Sequence, residues 1–226
     1  MQAILEALLE IVKALPDTIF LATVILVLGI VLGSLIAFVG IKKGRWLGFL
    51  IGIYLSYARG VPLVVQLFIA QAALPKVIGY LLSLVNRQVD KITIPSFWIV
   101  IICYTLFEGA VESENIRGIV NAFDHSQYEA GLSIGMKPFQ VVRRIAIPQM
   151  LYTAIPLFLN AFLKIVRTLS VAFLVGVIDI MASARYKAAL SSEYIASYVA
   201  VALVYWGICV FVQTCLKRYE STLKYA

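Results

Sequence analysis

Five polar side chains, Glu108, Glu112, Asn160, Lys164 and Arg167, stand inside stretches of chain that are otherwise largely apolar. Spacings of four and three place Asn160, Lys164 and Arg167 on one face of a helix, and a spacing of four does the same for Glu108 and Glu112. An ionisable group inside a bilayer costs several kcal/mol, so such residues turn inward to a partner or a polar cavity. Two acids and two bases can neutralise each other as structural ion pairs. They can equally hold a zwitterion, with Lys164 or Arg167 on its carboxylate and Glu108 or Glu112 on its ammonium. A gating role is a third use, and proton carriage by Glu108 and Glu112, as in an ion- or proton-coupled secondary transporter, is an alternative. Covalent or metal chemistry has no support: Cys103, Cys209 and Cys215 lie in or at the end of apolar runs, match no metal-ligand spacing and read as buried free thiols.

The elements that hold these charges follow from composition. Of 226 residues, 62% are hydrophobic and 14% charged, against about 45–50% and about 25% in soluble domains. This excludes an ordinary soluble enzyme, a disordered chain and a nucleic-acid-binding protein. The apolar residues gather in five runs, about 17–41, 54–74, 95–117, 151–178 and 194–216, each close to the roughly 20 residues a membrane span requires. The expectation is an all-α polytopic membrane protein with one transmembrane domain over 1–226. No nucleotide-binding domain fits beside five spans, and no G-x-x-x-x-G-K-[ST] loop occurs.

Residues 2–15 repeat apolar positions at helical spacing, with Glu6, Glu10 and Lys13 on one face, which suits an amphipathic helix in the membrane interface. Acids stand where a cleavable signal would be basic, so none is expected. Orientation follows from the 19 Lys and Arg. With the N-terminus outside, eleven lie inside (Lys42, Lys43, Arg45, Arg59, Arg117, Lys137, Arg143, Arg144, Lys217, Arg218, Lys224). Six lie outside (Lys13, Lys76, Arg87, Lys91, Arg185, Lys187), and Lys164 and Arg167 remain in the fourth span. The bias predicts N-out, C-in.

Gly60 and Pro62 break the second run near its start, either as backbone exposed to a polar path or as a simple helix start at Pro62. Pro75 is expected to end that span, with 76–94, including Asp90, as an external loop. Gln66 and Gln71 face a cavity or a neighbour. Glu114 and Arg117, three apart, are expected to pair locally. His125 is expected in solvent, and 217–226 as a short tail.

The longest polar stretch, 118–150, contains Tyr128-Glu129-Ala130-Gly131-Leu132-Ser133-Ile134-Gly135 and then Met136 to Gln149. Gly135 suits a helix end, Pro138 the first turn of a second helix and Pro148 its stop. A compact amphipathic element of this kind fits protein docking.

Glu129, Ala130, Gly135, Ile145 and Pro148 match in spacing the EAA loop of bacterial ABC importer permeases, which the chain resembles. Gly131 stands for the second Ala of that signature and Ile147 for its Leu. Arg59-Gly60-Val61-Pro62-Leu63-Val64-Val65-Gln66, Glu114-Asn115-Ile116-Arg117-Gly118 and Val175-Gly176-Val177-Ile178-Asp179 are similar to elements of the polar amino acid subfamily. At the fourth span, Arg167 stands for a Lys, while the Asp and Thr of the family's Leu-Lys-Asp-Thr-Ser-Leu are absent. Lys164, Glu108 and Glu112 are additions. The resemblance implies a type I importer permease in the bacterial plasma membrane, without enzymatic activity or a cofactor of its own. It further implies two ATPase subunits that bind ATP and Mg, a second permease that is identical or homologous, an extracellular solute-binding protein and a polar amino acid as cargo. Membrane lipid surrounds the spans, and nucleic acid has no part. Glu129 and Gly135 would dock and shape the coupling loop. Which amino acid is carried is left open.

Overall fold

A computed structural model describes residues 2–41, 45–84 and 93–223. Lys42, Lys43, Arg87, Asp90, Lys91 and Lys224 lie outside these residues, as does the 85–92 part of the expected external loop. The described chain is helical: α1 (Gln2–Lys13), α2 (Leu15–Ile41), α3 (Arg45–Gly60), α4 (Leu63–Leu84), α5 (Ser96–Asn121), α6 (His125–Ser133), α7 (Pro138–Val141), α8 (Ile147–Thr168), α9 (Ile180–Ser191) and α10 (Tyr194–Leu223). Five helices are long and apolar enough to cross a membrane: Leu15–Gly40, Leu63–Leu84, Ser96–Asn121, Pro138–Val175 and Tyr194–Tyr219.

Four boundaries differ from expectation. The second apolar run divides into α3 and α4, and only α4 qualifies as a span. Pro75 does not end it. The proline sits inside α4, which continues to Leu84, so 76–84 is helix and not loop. A proline removes one backbone hydrogen bond, but inside lipid every other backbone group still has only the helix to satisfy it. Pro148 likewise does not stop a helix. A π-turn over Val142–Ala146 precedes it, with Ile147 N–H donating to Val142 O five residues back, and the helix runs on through Pro148 to Thr168. The wider turn absorbs the carbonyl that Pro148 has no N–H to meet. The expected tail is helical to Leu223.

The helix α5 is the hub. Its Val100, Ile101, Cys103 and Tyr104 pack with Leu21 and Ile25 of α2, Leu67 of α4 and Ile165 and Leu169 of the fourth span. At the other end of its length α5 runs parallel to α2 at very short range. A Cβ added to Gly33 would stand 2.8 Å from Cβ of Glu112 and 2.8 Å from the Ser113 nitrogen, and one on Gly29 would stand 3.0 Å from Cβ of Glu108. On the facing side, a Cβ on Gly109 would meet Leu32 Cδ2 at 2.6 Å. Glycines four apart let two backbones approach in lipid, and here they seat Glu108 and Glu112 of α5 directly against α2.

The amphipathic α1 turns Ala7 and Ile11 onto Ile180 and Ala184 of α9 and Ala200 and Val201 of α10, while Leu5 and Leu9 stay exposed. Lys13 pairs with Glu10 at 2.8 Å and Lys187 with Glu6 at 3.3 Å. Asp179 caps α9, accepting from Ala182 N–H at 2.8 Å, and Thr18 of α2 accepts from Ile180 N–H at 3.2 Å.

Candidate functional site

Two sets of residues meet the sequence expectations, one within the bundle and one at its end. Within the bundle, Tyr104 Oη donates to Thr168 O at 2.6 Å, and Lys164 Nζ lies 2.8 Å from Glu108 Oε2. These two contacts set α5 and α8 antiparallel, in a register that brings Glu112 level with Asn160. Glu108 is fully buried; the Lys164 side chain is 35% exposed and also lies 5.4 Å from the centre of the Phe107 ring. Glu112 is buried too. It accepts from Asn115 Nδ2 at 3.1 Å, while its Oε1 has no hydrogen-bond partner among the described residues.

The expected arrangement of two acids facing two bases is therefore half realised. Moving from Lys164 to Arg167 climbs α8 by about 4.5 Å, whereas moving from Glu108 to Glu112 descends by about 6 Å. The second pair is carried apart. Arg167 is exposed and its Nε returns to Leu163 O at 3.1 Å; Asn160 is exposed as well. An ammonium and a carboxylate in contact, with a second carboxylate one turn away, form a site where a zwitterion can exchange both partners at once. The same contact, left closed, is a structural ion pair.

The break between α3 and α4 falls at Gly60 and Pro62, as expected. Gln66 is buried and donates to Ala58 O at 3.0 Å and Val61 O at 2.8 Å, capping carbonyls that the break frees. Gln71 Nε2 reaches Val175 O at 3.5 Å. Glu114 does not pair with Arg117. It binds Arg59 at 2.5 Å, which ties α3 to α5. Arg59 stands at the end of α3, beside the contact of Leu55 and Ala58 with Ala110, so it reaches Glu114 across the helix interface, and Arg117 is left without it.

At the end of the bundle, α6 and α7 form the expected helix–turn–helix. Asp124 caps α6, with Oδ1 accepting from Ser126 N–H at 2.9 Å and Oδ2 from Ser126 Oγ at 2.8 Å; these bonds hold its carboxyl below the usual range. Gly135 has φ +85. Gly135 N–H donates to Leu132 O at 3.0 Å and Met136 N–H to Gly131 O at 3.2 Å, the paired bonds of a Schellman stop in which glycine carries the left-handed residue. Pro138 opens α7, and Lys137 N–H donates to Gln140 Oε1 at 2.8 Å. Glu129 and Ala130 are exposed on α6, and His125 is exposed beside Phe123. Ile145 lies in the π-turn and Pro148 just beyond it. Ile134 and Phe139 are 79% and 71% exposed, which leaves an apolar tip on an otherwise polar knob.

Two sets of residues escape the motif reading. Gly131, which stands for the second Ala of the signature, is the contact between the two short helices: a Cβ there would meet Val141 Cγ2 at 2.9 Å and lie 3.4 Å from Ile145 Cδ1. Gly29 and Gly33 were visible in the sequence as a small-x-x-x-small pair in an apolar run.

With this geometry in place, comparison with known proteins is decisive. Residues 29–225 match the family described as binding-protein-dependent transport system inner membrane component. The chain belongs to that family. It is 35% identical over 206 residues to the probable amino-acid ABC transporter permease protein PatM of Vibrio harveyi, covering 91% of this chain and 88% of the relative. It is 32% identical over 219 residues to the probable amino-acid permease protein YxeN of Bacillus subtilis (strain 168), covering 97% and 93%. Among solved structures, an amino acid ABC transporter with histidines has the same fold, with TM-score 0.79 at 23% identity over 94% of this chain and 93% of that one. The chain is thus a multi-pass inner-membrane permease subunit of an ABC importer, and the resemblance drawn from its EAA-like loop holds.

Proposed function

We propose that this permease conducts an amino acid across the membrane in a complex powered by ATP hydrolysis in partner subunits. The relatives named above are amino-acid permeases by description, and none of these names speaks for the ion- or proton-coupled alternative. In this reading the N-terminus is outside, and the α6–α7 knob projects into the cytoplasm. The knob seats on an ATPase through Ile134 and Phe139, with Glu129 and Ala130 on the flank of α6. Gly135 and the packing of Ile145 on Gly131 hold its shape. Two ATPase subunits supply the ATP and Mg sites, a second permease completes the pathway, and a solute-binding protein delivers the cargo outside.

The observation that carries the reading is the pairing of family membership with an exposed, well-capped helix–turn–helix at the position of the EAA signature. Glu108, Glu112 and Lys164 belong to the cargo path, where the charges of a zwitterionic amino acid exchange with those of the pair. Asn160, Arg167 and Gln66 extend that path, and the Gly60–Pro62 break gives it backbone polarity. The test is co-purification of the ATPase with this chain, followed by ATPase assay across amino acids with the binding protein present. Stimulation by one amino acid class and its loss in Glu129→Ala/Gly135→Val protein are expected. Full stimulation in that variant would refute the coupling assignment.

A further inference from the structure

The tight α2–α5 contact ends at Gly33 and Glu112. Beyond it, toward the loop end of the bundle, the two parallel helices leave a cleft of about 370 Å³. Ala37 and Gly40 of α2 and Ile116 and Val120 of α5 form its walls, and Arg117 and Asn121 supply its polar edge. Arg117 is exposed, and it makes no ion pair or hydrogen bond among the described residues. The acid three residues before it, Glu114, is engaged by Arg59.

An exposed arginine without a partner among the described residues is free to take an anion. Arg117 lies four residues, or about 6 Å, before the end of α5 at Asn121, which is also the end of the candidate span Ser96–Asn121, and headgroups flank the ends of a span. A guanidinium at that level matches phosphate oxygens with two parallel N–H donors. Among the described residues the cleft lining contains no carboxylate, so the ammonium of a zwitterionic headgroup would find no partner in it, whereas a headgroup with net negative charge leaves nothing unpaired. The apolar walls then accept the first part of an acyl chain. We infer that this cleft is a binding site for an anionic phospholipid, held by Arg117 and Asn121 between α2 and α5. The inference stands on the bilayer setting of the chain and is independent of the cargo and of the ATPase.

The site is tested on the full chain purified in dodecyl maltoside, by native mass spectrometry with dioleoyl phosphatidylglycerol, dioleoyl phosphatidylcholine and inorganic phosphate as separate probes. A preference for phosphatidylglycerol over phosphatidylcholine of about fivefold is expected, the value of one basic residue near a membrane surface. Arg117→Gln should abolish that preference and Arg117→Lys should keep most of it. Gly40→Leu provides a second arm, because a Cβ at Gly40 meets nothing within 4 Å. Its side chain fills the cleft with the charge intact, and phosphatidylglycerol should be lost without loss of the fold. Retained preference in Arg117→Gln or in Gly40→Leu protein overturns the site. So does full competition by inorganic phosphate, which would make the ligand a free anion, or a cleft that a second copy of this chain closes to lipid.

Discussion

Gly33 of α2 faces Glu112 of α5 so closely that a single added carbon would stand 2.8 Å from the glutamate Cβ. A buried acid is thus held by a residue with no side chain on the neighbouring helix. Gly33→Leu should separate α2 from α5 and lower stability by about 1–3 kcal/mol, the usual cost of overpacking. Thermal unfolding in detergent reads this. A wild-type midpoint in the variant would show that the helices can part without cost.

The Glu108–Lys164 contact separates structural pairing from cargo binding. Lys164→Met leaves a buried carboxylate without its cation, which should cost up to about 3 kcal/mol, the low end for buried pairs because Lys164 is partly exposed. Glu108→Gln combined with Lys164→Met should recover most of that stability. Uptake by reconstituted complexes then decides the role. A stable double variant without transport marks the pair as part of the path, and one with full transport marks it as structural only.

Within the α6–α7 knob, Gly131 and Gly135 act differently. Gly135→Val forces a branched side chain into left-handed backbone, at a cost of about 1–2 kcal/mol. Gly131→Leu pushes α6 off Val141. Both should leave the spans inserted and weaken retention of the ATPase on an affinity column. Undiminished retention of the ATPase by both variants would mean that the knob is not its seat.

Asp179 gives a pH signature outside the spans. Burial raises its carboxyl above the ordinary value despite the backbone N–H of Ala182. A raised carboxyl favours the folded state most fully below the unfolded pKa, and that contribution is lost as pH rises through the folded one. Stability should therefore fall with rising pH above about 4, and Asp179→Asn, which still caps α9, should flatten that slope. Parallel slopes in the two proteins would exclude Asp179 as its source.

The five spans are legible because a bilayer imposes length and apolarity on each, and Gly135 is legible because few residues other than glycine end a helix that way. The partner of Glu114 is not. Sequence spacing ranks Arg117 first by proximity along one helix, whereas Arg59, 55 positions away, wins through the packing of α3 on α5. Pro148 misleads because the π-turn before it takes up the missing donor, and Pro75 for a reason set by the bilayer. In water a proline ends a helix cheaply, but in lipid an ended helix leaves several backbone groups bare where a retained one leaves a single carbonyl. Arg167 shows the limit of helical-face arguments: sharing a face with Lys164 says nothing of which residues on an antiparallel neighbour lie at its height.

The π-turn before Pro148 has a mechanical consequence. Because it lets the helix pass from α7 into the fourth span without a break, Pro138 and Lys164 lie on one continuous helical segment, roughly 39 Å apart along its axis. The π-turn, Pro148 and Pro156 between them are the places where such a segment bends most readily. One covalent piece of chain therefore joins the exposed tip at Phe139 to the ammonium beside Glu108, and its points of least stiffness are fixed by sequence.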